Sequence, residues 1–192
     1  MNVYDFDKTI YPGDSATHFW LFCLRRHPAV ALSLGKTALP GLRYLAGRST
    51  RGEIKENMYS FLSRLPDPEA EARLFWDSRI DRIFPWYINR RRDDDLVISA
   101  SPDFLIGEAC RRLGIRWIAT DMDLATGKLR GPNCYGAEKP LRFAEVYGSA
   151  HVEEFYSDSL SDLPMMELAD DAYLVKNGAV LRRTVHKEPQ TV

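Results

Sequence analysis

The sequence predicts an α/β protein, with a parallel sheet wound by right-handed crossovers and a helical insertion near its start. Short apolar runs typical of strands occur at residues 2–7, 96–100, 117–120, 155–157 and 173–175. Amphipathic, helix-like segments at residues 104–113, 141–147 and 163–169 alternate with the later runs. The stretch 15–92 has no strand patterning and is predicted to be helical. We therefore expect a core of residues 1–14 and 88–192, with residues 15–87 inserted as a helical cap.

The strongest functional signal lies in the first dozen residues. A short apolar lead is followed by Asp5-Phe6-Asp7-Lys8-Thr9. On an extended chain, two carboxylates two residues apart project to the same side. Like charges that close need a cation between them or a proton on one of them. The pair suits phosphate chemistry, because Mg²⁺ prefers oxygen ligands and an aspartate can attack phosphorus. An acidic turn after an edge strand is the alternative.

A second acidic pair follows the predicted strand at 155–157. Asp158 comes directly after that strand, and Asp162 stands at the start of an amphipathic helix. A cation held by Asp158 directly, and by Asp162 directly or through water, would lie near the positive end of the helix. Alone, the pattern is also typical of a helix start capped by Asp and Ser. The first acidic pair strengthens the metal interpretation.

Two further segments offer groups that bind phosphate. The apolar run 96–100 ends in Ser99 and Ala100 and leads into a helix. The Ser99 hydroxyl and nearby backbone N–H groups are therefore candidates to bind a phosphoryl oxygen. Lys139 precedes another helix, where its ammonium would offset the aspartate and phosphate charges together. The alternatives are a serine that caps a strand end and an ordinary surface lysine.

These four segments, in this order and each at a strand end or helix start, resemble the motifs of the haloacid dehalogenase (HAD) superfamily of phosphatases. Residues 5–9 are similar to the first motif, Ser99 to the second, Lys139 to the third, and Asp158 with Asp162 to the fourth. A helical insertion soon after the first motif resembles the phosphoserine-phosphatase-like branch. The resemblance implies a Rossmann-like HAD core with an inserted α-helical cap.

The resemblance also implies roles for these residues. Asp5 would be the nucleophile and Asp7 the general acid and base. Asp5, the backbone carbonyl of Asp7 and Asp158 would hold Mg²⁺, with Asp162 supporting the metal shell. Lys139 would complete the catalytic set.

Two neighbouring positions refine this picture. Asp14 occupies the place where the branch often has an acidic residue facing the substrate, whereas Lys8 departs from the glycine of many members. Dehalogenases of the superfamily lack a carboxylate at the position of Asp7, and protonating a leaving group is what a phosphate ester requires. A dehalogenase is therefore not expected, whereas phosphomutase and phosphotransferase activities stay open.

Composition favours one compact enzyme. The chain has 192 residues, of which 45% are hydrophobic and 28% charged, enough to bury a full core. A formal net charge of −1 argues against nucleic acid as a partner. Cys23, Cys110 and Cys134 have no metal-site spacing and predict reduced thiols in a cytoplasmic protein. The start of the chain has no basic leader or apolar signal segment, which agrees with that location.

The insertion contains a strongly basic stretch. Residues 25–55 hold seven basic residues and one acidic residue. Inside it, the run 28–47 is mostly apolar, but Lys36, Arg43 and interrupting Gly and Pro residues argue against a spanning helix. The run predicts either two short cap helices or a peripheral contact with anionic membrane. Arg25-Arg26-His27-Pro28 and Ala46-Gly47-Arg48 also resemble the cap of phosphatidylglycerophosphate phosphatases of the same branch.

The expected function is a Mg²⁺-dependent phosphomonoesterase that acts on a small phosphate ester through an aspartyl-phosphate intermediate. The first alternative is a lipid phosphatase at the membrane surface. The second is a non-catalytic regulatory protein on the same fold, against which the filled catalytic positions argue. The sequence does not predict an oligomeric state.

Overall fold

A computed structural model describes residues 1–33 and 51–183 and shows a six-stranded sheet at the centre of this part of the chain. The strands are β1 (Asn2–Tyr4), β2 (Leu96–Pro102), β3 (Arg116–Thr120), β4 (Val152–Ser157), β5 (Ala169–Lys176) and β6 (Ala179–Arg183). Their order across the sheet is β3-β2-β1-β4-β5-β6. Strands β1 to β5 pair in parallel, and β6 pairs antiparallel to β5. The predicted α/β class with a parallel sheet is confirmed.

Helices precede or connect these strands. They are α1 (Ser15–Arg26), α2 (Arg51–Tyr59), α3 (Pro68–Asp77), α4 (Pro85–Ile88), α5 (Asp103–Leu113), α6 (Glu138–Tyr147) and α7 (Leu163–Met166). Short 3₁₀ turns occur at Pro28–Ser33, Ser60–Arg64, Ile80–Arg82 and Leu160–Asp162.

Two element ends differ from the prediction. The first strand ends at Tyr4 rather than Asp7, because the amides of Thr9, Ile10 and Tyr11 all bond to the carbonyl of Phe6 and turn the chain. The helix predicted over 163–169 ends at Met166, because Ala169 already pairs with Val152 at the start of β5. The first end is decided by a local turn, and the second by pairing with a strand that is distant from the helix in sequence.

The central strand β1 is buried on both faces. Its neighbours align Val3 with Leu96 on one side and with Phe155 on the other. Successive side chains of a strand point to opposite faces, so Val3 and Tyr4 belong to different hydrophobic clusters. Helices α6 and α7 cover the Val3 face, with Phe143, Met165 and Met166. Burial on both faces is typical of parallel sheets.

The Tyr4 face is covered partly by the inserted segment. Trp76 of α3 packs edge-on against Phe6 and Tyr11, with ring centroids 5.6 and 5.3 Å apart, and its indole N–H donates to the Leu105 carbonyl at 2.8 Å. Between residues 15 and 87, the described part forms helices and 3₁₀ turns but no strand. These helices share one buried cluster with the core. The boundaries of a separate cap at 15 and 87 stay a prediction.

The basic, apolar run 28–47 is described only at its start, where Pro28–Ser33 forms a 3₁₀ turn. Residues 34–50 lie outside the described residues, so contact of this run with a membrane stays a prediction. None of the helices in the described ranges has the length and apolar character needed to cross a bilayer.

Candidate active site

A cavity of about 420 Å³ lies where β1, β2 and β4 end. Ligands of parallel α/β sheets bind at the carboxyl ends of the strands, because loops and helix starts converge there. All the residues that the sequence singled out for the site line this cavity: Asp5, Asp7, Asp14, Ser99, Ala100, Lys139, Asp158 and Asp162. Segments more than 150 residues apart in sequence are therefore brought together at one sheet edge.

A buried ion triad forms the floor of the site. The Lys139 ammonium donates to Asp5 Oδ1 at 2.7 Å and to Asp162 Oδ2 at 2.7 Å. Lys139 is almost fully buried at the start of α6. Thr9 donates its hydroxyl to Asp5 Oδ2 at 3.2 Å and accepts the backbone N–H of Asp158 at 2.9 Å. Both oxygens of Asp5 are thus oriented by a neighbouring donor.

The ion pairs of the triad reduce the cost of burying each of its charges. Burial raises the pKa of Asp5, and the Lys139 ammonium works against that rise. Burial alone would lower the pKa of Lys139. The negative charges of Asp5 and Asp162 have the larger effect and hold this pKa above its usual range. Removing Lys139 would leave both buried carboxylates without their cation, at a cost of about 3–5 kcal/mol. The lysine is therefore a fixed cation beside a carboxylate.

Asp7 has a different environment. Its Oδ1 accepts the backbone N–H of Ser15, the first residue of α1, at 2.8 Å, and its Oδ2 accepts the Ser101 hydroxyl at 2.5 Å. Burial and then repulsion by Asp14 raise the pKa of Asp7 to about 7, although the two serine donors oppose the rise. A carboxyl group of this pKa can both release and accept a proton near neutral pH, as acid–base catalysis requires.

Ser99 and Asp14 both line the cavity. The buried Ser99 accepts the backbone N–H of Ser101 at 3.1 Å, and its own hydroxyl proton is donated to none of the described residues. Asp14 is the N-cap of α1, where its Oδ1 accepts the backbone N–H of Thr17 at 2.7 Å. Each therefore makes a structural hydrogen bond and also lines the cavity.

The departure at Lys8 has a local explanation. Lys8 adopts a left-handed backbone with φ of +59°. Glycine enters this region without a steric penalty, whereas another residue loses about 1–2 kcal/mol. Lys8 therefore occupies a turn that suits glycine better. Its ammonium lines the cavity and opposes the rise that burial causes in the pKa of Asp158.

The donors in the cavity suit a hard divalent cation. Asp158 and Asp5 present carboxylates, and Asp162 Oδ1 is buried and has no hydrogen-bond partner in the described part of the chain. No three acidic, histidine or cysteine side chains of residues 1–33 and 51–183 converge closely enough to hold a metal by themselves. This combination fits Mg²⁺, which takes one or two carboxylates and keeps oxygen positions for water and phosphate. The four predicted aspartates therefore share a cavity without forming a four-carboxylate cluster.

Sequence reasoning missed two residues that shape the site. Lys55 of α2 donates to the Ala100 carbonyl and, at 2.7 Å, to Asn133 Oδ1, and burial lowers its pKa to about 8. These partners are 45 and 78 residues away, so no local pattern indicates the contact. Ser101, which bonds to Asp7, was accessible to sequence reasoning, because it stands two residues after Ser99 on the same strand.

Comparison with known proteins identifies sequence and structural relatives. Protein CicA of Caulobacter vibrioides is 28% identical over 191 residues, covering 88% of this chain and 82% of CicA. A solved structure of a Bordetella pertussis protein of unknown function has a TM-score of 0.71 at 22% identity, covering 87% of this chain and 85% of that one. A phosphoserine phosphohydrolase-like protein from Francisella tularensis has a TM-score of 0.58 at 14% identity, over 90% and 86% of the two chains. At these identities the two structures show a shared fold.

The family follows from a broader match. The family model described as haloacid dehalogenase-like hydrolase matches residues 3–167, which include the first motif and both later acidic positions. The predicted HAD fold and the phosphoserine-phosphatase-like architecture agree with the structural relatives. This chain belongs to the haloacid dehalogenase-like hydrolase family.

Proposed function

We propose that the protein is a Mg²⁺-dependent phosphomonoesterase that hydrolyses a small phosphate ester through a phosphate covalently attached to Asp5. The observation that supports this best is the Lys139 ammonium, held 2.7 Å from both Asp5 and Asp162 beside an Asp7 whose pKa is raised to about 7. A nucleophile, a fixed positive charge and a proton donor thus share one cavity, as phosphoryl transfer with a covalent intermediate requires.

The first half-reaction forms the covalent intermediate. Ser99, the N–H groups near Ala100 and Lys139 bind the phosphoryl oxygens. An Asp5 oxygen attacks phosphorus while the bond from phosphorus to the ester oxygen breaks. Asp7 gives its proton to that oxygen, so the alcohol leaves neutral. Bound Mg²⁺, held by Asp5, the Asp7 carbonyl and Asp158 with support from Asp162, would neutralise phosphate charge.

The second half-reaction releases phosphate. Asp7, now ionised, takes a proton from a water molecule whose oxygen attacks the phosphorus. The bond between Asp5 and phosphorus breaks, which regenerates the Asp5 carboxylate. Lys139 keeps the Asp5 carboxylate charged and oriented before the attack and again after phosphate release, because its bonds to Asp5 and Asp162 lie in a buried setting where electrostatic effects are strong.

Turnover of 4-nitrophenyl phosphate tests the proposal. With Mg²⁺ the wild type should release nitrophenol, and excess EDTA should remove that activity. Asp5→Asn should lower kcat by more than about a thousandfold, because loss of a nucleophile removes the covalent route. The control is Asp103→Asn, since Asp103 bonds the Trp117 indole outside the cavity. Near-normal turnover by Asp5→Asn, or full activity in EDTA, would contradict the proposal.

A further inference from the structure

Tyr59, the last residue of α2, has a buried hydroxyl that bonds to nothing in the described ranges 1–33 and 51–183. The side chain is fully buried, with its ring stacked near Phe61. Buried hydroxyls almost always have a hydrogen-bond partner, because leaving one unpaired costs the free energy of its lost hydration. An unpaired hydroxyl at the wall of a cavity therefore points to a partner that arrives with a ligand.

The Tyr59 hydroxyl lies close enough to Asp14 and Asp7 for their charges to act on it. Tyr59 and Met58 of α2 line the cavity, as do Ser99 and Ala100 of β2, which are proposed to bind the phosphate. Burial raises the pKa of the Tyr59 hydroxyl well above its usual range, and the charges of Asp14 and Asp7 add to that rise. The hydroxyl is therefore protonated, near enough to Asp7 to sense its charge, and able to donate a hydrogen bond.

Lys55, which α2 also brings to the cavity, already has hydrogen-bond partners. Lys55 has three N–H donors, and its nitrogen lies within hydrogen-bond distance of the Ala100 carbonyl, Asn133 Oδ1 and Thr120 Oγ1. Residues four apart lie on the same face of a helix, so Lys55 anchors the face that carries Tyr59. The helix thus has a fixed anchor and, one turn later, an unused donor.

We propose that Tyr59 is a specificity-determining residue that donates a hydrogen bond to an oxygen of the alcohol part of the substrate. The phosphate ester would then carry a second oxygen acceptor, such as a hydroxyl, close to the ester oxygen that Asp7 protonates. A site built to bond such an oxygen rejects an analogue that lacks it, because the buried donor stays unpaired. This inference rests on the proposed phosphomonoesterase activity and names the class of alcohol it selects.

The test compares glycerol 1-phosphate with propyl phosphate, which lacks the additional hydroxyls. The wild type should have the higher kcat/KM for glycerol 1-phosphate. Tyr59→Phe should lower that value about tenfold, equivalent to about 1.4 kcal/mol, and leave the value for propyl phosphate within about twofold. The melting temperature of Tyr59→Phe should not fall, because the hydroxyl that it removes has no partner among the described residues.

Tyr87→Phe is the matched control. Tyr87 is also fully buried, its hydroxyl also has no partner within the described ranges, and it packs against Tyr4 away from the cavity. It should leave both kcat/KM values unchanged. If the wild type cleaves both esters but shows no preference, or if Tyr59→Phe lowers both values equally, the specificity role is wrong while the proposed function stands. If the wild type cleaves neither these esters nor 4-nitrophenyl phosphate, the proposed function fails and the inference fails with it.

Discussion

At the scale of single residues, the two ends of the sheet hold buried carboxylates in contrasting ways. At the cavity end, Asp5 and Asp162 share the Lys139 ammonium. At the amino end of β2, Asp95 is fully buried and its carboxylate has no bonded cation among the described side chains. Its Oδ2 accepts the backbone N–H of Arg92 at 2.9 Å, whereas its Oδ1 has no partner there. Asp95 therefore lacks, among the described side chains, the kind of bonded cation that offsets the burial of Asp5 and Asp162.

We expect the ionisation of Asp95 to lower the free energy of unfolding as pH rises. Burial raises its pKa from 3.8 to about 6, although the Arg92 backbone N–H opposes the rise. The folded state therefore holds the proton more tightly than the unfolded state. The resulting stabilisation is complete below pH 3.8 and is lost as pH rises through about 6.

Asp95→Asn should remove this contribution, because an amide does not titrate. Urea denaturation between pH 4 and 7 should show the variant gaining free energy of unfolding relative to the wild type as pH rises. Asp93→Asn, at an exposed position two residues earlier, should follow the wild-type profile. Parallel profiles for Asp95→Asn and the wild type would show that the burial of Asp95 has no such effect.

At the scale of elements, α2 is held against the loop that precedes α6. Lys55 bonds to Asn133 in that loop, and Glu56 accepts the backbone N–H of Leu129 at 3.0 Å. At the end of α2, the turn at Gly127 lies directly under the backbone carbonyl of Tyr59. These contacts fix the helix that carries the Tyr59 hydroxyl over the cavity. The position of α2 thus depends on a turn that is distant in sequence.

Gly127→Ala should be strongly destabilising. Gly127 has φ of +73°, and an added Cβ would collide with the Tyr59 carbonyl. Gly114→Ala is the matched control, because Gly114 has φ of +68° but open space around its Cβ position. The control should cost about 1–2 kcal/mol from backbone strain alone. Gly127→Ala should cost roughly a further 1–3 kcal/mol from overpacking. If urea denaturation shows that both variants lose the same free energy of unfolding, the Tyr59 carbonyl does not restrict the turn at Gly127.

At the scale of the whole molecule, the grouping of the motif residues in one cavity was predictable, because the carboxyl ends of parallel strands lie at one edge of the sheet. Asp5, Ser99 and Asp158 each follow or end an apolar run, so local patterns placed them together. The roles of Lys55 and Tyr59 were not predictable, because they depend on which loop α2 packs against. Periodicity shows that a helix has an apolar face, but it does not identify the surface that buries it.

The packing of the inserted helices against the sheet could not be predicted from the sequence, for the same reason. The sequence predicts residues 15–87 as a helical unit, and the described part of this range is helical. Aromatic contacts run from Phe19 to Phe75 and on to Trp76, and Trp76 packs against Phe6 beside β1. They join that unit to the central sheet. Such long-range pairing is decided by shape and volume across the whole core.

The most direct test of the central claim is detection of phosphate on Asp5. Asp7→Asn should still be phosphorylated by 4-nitrophenyl phosphate, because nitrophenolate leaves without a proton, but it should lose the base that hydrolyses the intermediate. Borohydride reduces an acyl phosphate to an alcohol, which would convert Asp5 to homoserine, detectable by mass spectrometry of the N-terminal peptide. The account predicts homoserine at position 5 together with a burst of about one nitrophenolate per enzyme molecule. A burst with Asp5 unmodified, or with the adduct on another residue, would contradict it.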